Sequence, residues 1–192
     1  MKSAMSKIIS LPNQHLRQRS QKIGLITDNI IKIIDLMKVA TLEWEDTRKY
    51  EVGVALAAVQ IDELIRAIVI RDDFDDKANR EFKVLINPVI TKYEGDILED
   101  YEGCLSVKDI YGKVPRYEKV KVKAIGLDGR EFRITAKGFF ARVLQHEIDH
   151  INGKLFIDHI KNDQKAFFIL AEDGQLIELD YDKDIKISSI LW

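Results

Sequence analysis

The chain has few of the features that mark secreted or membrane-spanning proteins. It contains one cysteine and three prolines among its 192 residues. A single cysteine cannot form an intrachain disulfide, so a reducing compartment, most simply the cytoplasm, is expected. The N-terminal stretch MKSAMSKIISLPNQ lacks the apolar centre of a secretory signal. No apolar run reaches the length of about 20 residues that a membrane-spanning helix needs. We therefore expect a cytoplasmic protein without a membrane partner.

The charge balance also excludes one class of partner. The 30 basic and 32 acidic residues give a net charge of −2 and are interspersed along the chain. Because there is no basic stripe or arginine-rich arm, sequence-specific nucleic acid is not expected as a ligand. A hydrophobic fraction of 46% in 192 residues suits one well-packed domain better than two.

Periodicity along the chain predicts two helices separated by strands. The residues after Thr27 or Asp28, either of which could cap a helix, place apolar side chains at near-helical spacing. Runs rich in β-branched residues at 65–70 and 83–90 predict strands, and 118–138 predicts a hairpin turning at Asp128-Gly129. A second helix is expected from residue 138 until Gly153 stops it. Strands in runs with separate helices indicate the α+β class.

The second helix carries the motif that indicates chemistry. His146 and His150 are four residues apart, so both imidazoles project from the same helix face and could hold one metal ion. Glu147 follows the first histidine, where it could reach a metal-activated water without being a ligand. This is the H-E-x-x-H arrangement of zinc hydrolases, which leaves a third protein ligand to be found.

The chain offers several candidates for that third ligand. In metzincins a third histidine follows the motif, but Phe156 stands at that position here. His159 lies beyond the glycine that ends the helix. A thermolysin-like site could use Glu172, whereas a thiolate site would use Cys104, whose neighbouring glycine permits close approach of the backbone. Spacing modestly favours Cys104 and leaves Glu172 open.

Three ordered segments resemble a known family. They are GVALAAVQ (53–60), EGCLS (102–106) and HEIDH (146–150). In these segments, and in LPNQHLR, VPRYEKV and NGKLFIDHI, the chain is similar to the peptide deformylases, over roughly residues 7 to 160. The resemblance implies an α+β fold with antiparallel sheets surrounding a central metal-binding helix, and an N-terminal amphipathic helix. It also implies one catalytic domain over residues 1–192, with a divergent tail from about residue 165.

The resemblance implies a function and a catalytic site. The enzyme would remove the N-formyl group from the formylmethionine of nascent chains, with transient ribosome contact. One divalent metal, iron(II) in cells, with zinc, nickel or cobalt as substitutes, would be held by Cys104, His146 and His150. Attack by a metal-bound hydroxide would use Glu147 as general base and then acid. The side-chain amide of Gln60 and the backbone N–H of Leu105 would stabilise the oxyanion.

A substrate groove is also implied. Its members would be residues of the three motif segments and of the metal-binding helix: Gly53, Val54, Ala55, Glu102, Gly103, Leu105, Phe139 and Val143. Because Val143 lies one turn before His146, helix geometry supports it independently. For Glu102 we also expect an ion pair with Arg116, and for Asp149 a supporting position near the site or on the surface.

Two departures from the family pattern affect the expectations. Ala55 stands where the family prefers glycine, and would cost about 1 kcal/mol if that position needed a positive φ. The tail after Phe168 predicts a hairpin at Asp173-Gly174, followed by an acidic, strand-like end whose ISSILW segment could pair with a sheet edge or cover the core.

Two alternative functions are considered beside the deformylase: a zinc peptidase with a His2Glu site and a non-enzymatic, ribosome-associated relative. The intact Glu147 argues against the second.

Overall fold

The first helix confirms the N-terminal prediction. The structure, a computed structural model, describes residues 3–73, 76 and 78–191. Helix α1 spans Asp28–Asp46, and the hydroxyl of Thr27 caps it by accepting a hydrogen bond from the Ile30 backbone N–H. Its apolar stripe, which includes Ile34 and Met37, is fully buried against the sheet. Burial of this stripe fixes α1 on one face of the domain.

The strands form one continuous antiparallel sheet in the described part of the chain. Neighbouring strands follow the order β1-β2-β3-β4-β6-β7, and β5 pairs with β4. The strands are β1 (Ala55–Ala57), β2 (Ala67–Arg71), β3 (Phe82–Cys104), β4 (Val107–Ile125), β5 (Glu131–Lys137), β6 (Phe167–Leu170) and β7 (Leu176–Glu178).

The strand predicted at 83–90 is only the beginning of β3. β3 and β4 pair along most of their length, with register shifts between Ile86 and Val89, Glu94 and Ile97, and Gly103 and Cys104. Such irregularities bend and twist a long hairpin. The bends allow β3 to pair with β2 near its start and to bring Cys104 to the site near its end.

Helix α2 (Gly138–His150) packs with its apolar residues inside a core cluster built from strands of the sheet. It ends as predicted, because Gly153 has a φ of 76° and its backbone N–H donates to the carbonyl of His150 at 3.0 Å. A short helix, α3 (Ile157–Ile160), follows. Single helical turns occupy Ala4–Lys7, Gln14–Arg17, Ala58–Ile61, Tyr181–Ile185 and Ser189–Leu191.

Both predicted hairpin turns are confirmed. Gly129 between β4 and β5 has a φ of 77°, and Gly174 between β6 and β7 has a φ of 86°. A positive φ is what an Asp-Gly turn supplies without steric cost. With these hairpins and the two predicted helices, the α+β fold class is confirmed.

The C-terminal tail is strand-like only as far as Glu178. Beyond it the backbone coils into the turns at Tyr181–Ile185 and Ser189–Leu191, so the extended end expected from the sequence is wrong. Ile185 is fully buried, and Ile190 packs against the same core cluster as Phe167. The end of the chain, as far as it is described, therefore covers the core and does not pair with a sheet edge, which were the two alternatives expected for it. Trp192 lies outside the described residues. None of the helices in the described ranges is long and apolar enough to cross a membrane.

Candidate metal centre and active site

Helix α2 and the end of β3 bring three metal-binding side chains together. The Nε2 atoms of His146 and His150 are 3.2 Å apart, and the Sγ of Cys104 lies 3.2 Å from the Nε2 of His150. The three donor atoms all lie within 4.8 Å of one another. Within residues 3–73, 76 and 78–191, this is the one group of three such side chains close enough to share an ion.

The spacing and chemistry of these donors fit a divalent cation. Two nitrogens bound at about 2.0–2.1 Å to one tetrahedral ion lie about 3.3 Å apart, close to the separation of the histidines. Two imidazoles and one thiolate are ligands that iron(II) and zinc accept. His150 is fully buried and His146 is 9% exposed, so the donors are held in place by packing. The Phe156 ring stacks on His146 at a centroid distance of 6.1 Å.

Glu102 fixes the orientation of His146. The Nδ1 of His146 lies 2.9 Å from the Glu102 carboxylate, which leaves Nε2 turned toward Cys104 and His150. The same carboxylate accepts two hydrogen bonds from Arg116, at 2.9 and 3.1 Å, and one from Arg142 at 2.9 Å. A carboxylate behind a ligating histidine sets its tautomer and ring plane. The ion pair predicted between Glu102 and Arg116 is therefore present.

Charge around Glu102 overcomes its burial. Burial alone would raise the pKa of this carboxyl, but hydrogen bonds and positive charge from His146 and Arg116 outweigh it and hold the pKa well below its ordinary value. The carboxylate therefore remains ionised beneath the histidine. Arg116 also donates to Asp149, which in turn lies 2.8 Å from the Nε2 of His159. Asp149 and His159 thus belong to this supporting network and not to the metal-binding group.

The amide of Gln60 is held in one orientation. Its Oε1 accepts a hydrogen bond from the Ala57 backbone N–H at 2.9 Å. Its Nε2 is therefore the atom that faces the site, where it donates to the Ser106 hydroxyl at 3.2 Å and lies 3.6 Å from the Cys104 sulfur. The side chain is 1% exposed. This places an oriented N–H donor beside the proposed metal ligand.

Glu147 is a buried carboxyl with an unused oxygen. It is 5% exposed, and its Oε2 makes no hydrogen bond to any described residue. Burial raises the pKa of Glu147 to about 7, while the neighbouring His146 lowers it by a smaller amount. A carboxyl with a pKa near neutrality can both accept and return a proton, which is what general acid–base catalysis requires.

A cleft of about 440 Å³ opens onto this site. Most of the residues predicted for catalysis or substrate binding line it: Val54, Ala55, Gln60, Glu102, Gly103, Cys104, Leu105, Phe139, Val143, His146 and Glu147. Gly53 does not. Its backbone N–H donates to Glu45 at 2.9 Å, and a β-carbon there would meet the Thr41 carbonyl oxygen at 2.7 Å. Gly53 therefore permits β1 to approach α1, behind the cleft wall.

The backbone strain considered for Ala55 is not present. Ala55 lies in β1 opposite Ile70 of β2. The described non-glycine residues with positive φ are Asp62, Asn87 and Asp109. Ala55 is thus in an ordinary strand conformation, and its methyl group acts only through the space that it takes from the cleft.

Sequence reasoning missed three residues that support the site. Arg142 pairs with Glu102, Ser106 accepts from Gln60, and Phe156 stacks on His146. A signal existed for Arg142, because it precedes His146 by four residues and interrupts the apolar residues of GFFARVLQ. In the sequence, Phe156 is notable only because it stands where metzincins have a third histidine. Ser106 lies within the EGCLS segment but carries no signal of its own.

The alternative third ligand lies elsewhere. Glu172 is exposed in the turn between β6 and β7 and does not line the cleft. It does not belong to the metal-binding group. The geometry gives the His2Glu alternative no support.

The fold and the site define a class of enzyme. An H-E-x-x-H helix facing a cysteine, with a buried carboxyl and an oriented amide beside the donors, is an arrangement for metal-dependent hydrolysis of an amide. A model of the polypeptide deformylase family matches residues 5–166. The peptide deformylase of Brachyspira hyodysenteriae is 40% identical over 163 residues, covering 84% of this chain and 83% of that protein.

Solved structures agree with the sequence comparison. A Legionella pneumophila peptide deformylase is 39% identical, with a TM-score of 0.70 over 79% of this chain and 83% of that one. The Synechococcus elongatus enzyme, solved in complex with actinonin, is 35% identical with a TM-score of 0.70 over 79% and 76%. The chain belongs to the polypeptide deformylase family. It is a metal-dependent hydrolase that removes the N-formyl group from formylmethionyl peptides.

Proposed function

We propose that one divalent cation is held by Cys104, His146 and His150, with iron(II) as the cellular metal and zinc, nickel or cobalt as possible replacements. The observation that carries this proposal is the convergence of the three donor atoms within 4.8 Å, beside the buried carboxyl of Glu147. A cation there supplies Lewis acidity, which polarises a carbonyl group and makes water more acidic.

Glu147 performs the proton transfers in this proposal. Its Oε2 accepts a proton from the attacking water and then delivers it to the amine that leaves. Burial supports both halves of this role, because it raises the pKa of Glu147 to about 7.

Two donors stabilise negative charge on the formyl oxygen. The first is the Nε2–H of Gln60, whose orientation is set by the bond from Ala57 to its Oε1. The second is the backbone N–H of Leu105, in the turn between β3 and β4. Removing one such donor typically costs about 3 kcal/mol of transition-state stabilisation.

The methionine side chain is proposed to occupy the apolar part of the cleft beside α2. Val54, Leu105, Phe139 and Val143 line it, with His146 at its mouth. Ala55, Glu102 and Gly103 complete the groove. Gly53 contributes by letting β1 pack closely on α1, which holds Val54 and Ala55 in position.

The setting of the reaction follows from the substrate. Formylmethionine begins newly made chains, so we propose that the enzyme works in the cytoplasm on nascent peptides and contacts the ribosome transiently. We also propose that residues 1–192 are one catalytic domain. The burial of Phe167 and Ile185 supports this, because the tail shares a core cluster with α3.

Formate release from formyl-Met-Ala-Ser by anaerobically purified protein tests the proposal, with metal content measured alongside. Glu147→Gln should keep about one metal per chain and lose between about 10² and 10⁴ in kcat/KM. Cys104→Ser should lose metal and activity together. Glu172→Ala is the matched control and should change neither.

Two results would contradict the proposal. If Glu172→Ala removed the metal while Cys104→Ser retained the metal, the His2Glu peptidase would be the better assignment for this site. Metal-loaded protein that released no formate would contradict the assigned catalytic roles.

A further inference from the structure

The C-terminal hairpin forms part of the wall of the active-site cleft. Leu170, at the end of β6, and Leu176, at the start of β7, both line the cleft that contains Glu147. Both lie beyond residue 166, where the match to the family model ends. The catalytic end of the cleft is thus built from the matched segment, and this stretch of its wall is built from the tail.

The hairpin is anchored firmly enough to act as a wall. β6 pairs with β4, with Tyr111 opposite Phe168 and Gly112 opposite Phe167. Phe167 is fully buried in the core. The Phe168 ring meets Tyr101 edge to face at a centroid distance of 5.0 Å, and Tyr101 also lines the cleft. Backbone pairing and core burial therefore fix the position of β6 beside the cleft.

The turn of the hairpin meets the segment between α1 and β1. A β-carbon at Gly174 would lie 3.4 Å from the ring of Tyr50, and both residues line the cleft. Tyr50 is half exposed. The Lys49 ammonium lies 4.7 Å from the centre of the Tyr50 ring, and Leu170 and Leu176 add apolar side chains to the same stretch of the cleft.

Three charged side chains that line the cleft here, those of Arg48, Glu51 and Asp109, lie close to one another. Arg48 lies 3.7 Å from both Glu51 and Asp109. Glu51 also accepts a hydrogen bond from the Tyr111 hydroxyl at 2.6 Å. Because these charges are matched among themselves, the leucines are the groups whose burial a ligand can improve.

We infer that Leu170, Leu176 and Tyr50 form an apolar subsite for a side chain of the peptide downstream of the formylmethionine. This inference depends on the proposed function, since it concerns the same cleft. Only the first residue can bring its formyl group to Glu147, so the following residues must leave along the cleft. A leucine or phenylalanine there gains burial against the tail, whereas a serine gains little.

The test uses three series of formylated peptides and the metal-loaded enzyme. In formyl-Met-X-Ala-Ala, formyl-Met-Ala-X-Ala and formyl-Met-Ala-Ala-X, the residue X is leucine, phenylalanine, serine or aspartate. At one position leucine and phenylalanine should exceed serine by about fivefold in kcat/KM, mainly through KM. This is below the roughly tenfold or more of an enclosed pocket, because the subsite is open on one side.

Variants then assign the preference to the tail. Leu170→Ala and Leu176→Ala should each bring the leucine-to-serine ratio towards one, and Leu176→Lys should favour aspartate at the same position. Ile177→Ala is the matched control, because Ile177 is the next residue of β7, is 55% exposed and does not line the cleft. It should retain the wild-type ratio.

The outcomes separate this inference from the proposed function. Wild-type enzyme that releases formate with equal kcat/KM for leucine and serine at all three positions would overturn the subsite and leave the proposed function standing. The subsite would also be overturned if Leu170→Ala and Leu176→Ala both left the leucine-to-serine ratio of kcat/KM unchanged, or if Ile177→Ala lowered that ratio equally. No formate from any peptide would instead count against the proposed function itself.

Discussion

Two carboxylates on β3 are each surrounded by cations, but their surroundings give them different roles. Glu102 is buried and contacts Arg116, Arg142 and His146. Glu94 lies near the surface, with three lysine ammonium groups between 2.7 and 3.6 Å from its carboxylate, those of Lys92, Lys119 and Lys121.

The pKa of each carboxyl is lowered, yet the consequences differ. Hydrogen bonds from Lys92 and Lys119 lower the pKa of Glu94 to about 2. Water and salt can replace those lysines at little cost, because surface ion pairs gain little net free energy. Water cannot reach Glu102 as easily. Removing its charge therefore leaves the buried guanidinium of Arg142 without a carboxylate partner and leaves Arg116 with Asp149 alone. Each carboxylate contacts three cationic side chains, so the difference in burial decides how much these ion pairs contribute to stability.

Of the substitutions that test this comparison, Glu102→Gln should change stability and metal affinity the most. Arg116 and Arg142 lose a buried counter-ion, which we expect to reduce the free energy of unfolding by about 3 kcal/mol or more. The metal affinity should fall by about 10- to 100-fold, because His146 loses the carboxylate that orients it. Urea unfolding and metal competition measure the two effects, with Glu94→Gln as the control. Equal stability of the two variants would show that burial does not distinguish these sites.

Arg142→Lys should have an intermediate effect. Besides Glu102, Arg142 donates to the carbonyls of Leu98 and Val114, at 2.7 Å each. A lysine cannot reach all of these acceptors, so we expect a loss of about 1–3 kcal/mol in unfolding free energy. Urea unfolding measures it. Arg130→Lys is the control, since the Arg130 side chain is 87% exposed, and a comparable loss there would refute a role for burial.

Glu94→Gln should have the smallest effect. Its three lysines remain solvated after the charge is removed, so we expect no resolvable change in Tm and unchanged formate release. Raising the salt concentration to 1 M, where the Debye length is about 3 Å, should leave the difference between wild type and variant unresolved. A clear drop in Tm would mean that the lysines around Glu94 act as a cooperative network.

The elements with local signals could be predicted from the sequence. The cap at Thr27, the turns at Gly129 and Gly174 and the end of α2 near Gly153 each depend on a few neighbouring residues. The length of β3 could not be predicted, because much of the strand is exposed and its pattern is broken by register shifts.

The candidate site divides in the same way. His146, Glu147 and His150 share one helix, so their spacing alone places them together. Cys104 reaches them only through the pairing of β3 with β4, which spacing along the chain does not reveal. The same holds for Arg142 and Glu102, whose contact spans 40 positions. The sequence does not predict that Leu176 lines the cleft. It reaches the cleft because β7 pairs with β6 and β6 pairs with β4, a strand more than 50 residues earlier in the chain.

The pairing of β6 with β4 has a consequence for handling the protein. A chain shortened to the matched segment, ending at residue 166, would lose the strand that covers Ile110–Gly112. It would also lose Phe167, whose aromatic ring fills the core beside Phe156. An uncovered strand edge next to an opened apolar core is a template for intermolecular β-pairing. Such a shortened chain would be prone to aggregate even though every catalytic side chain remained.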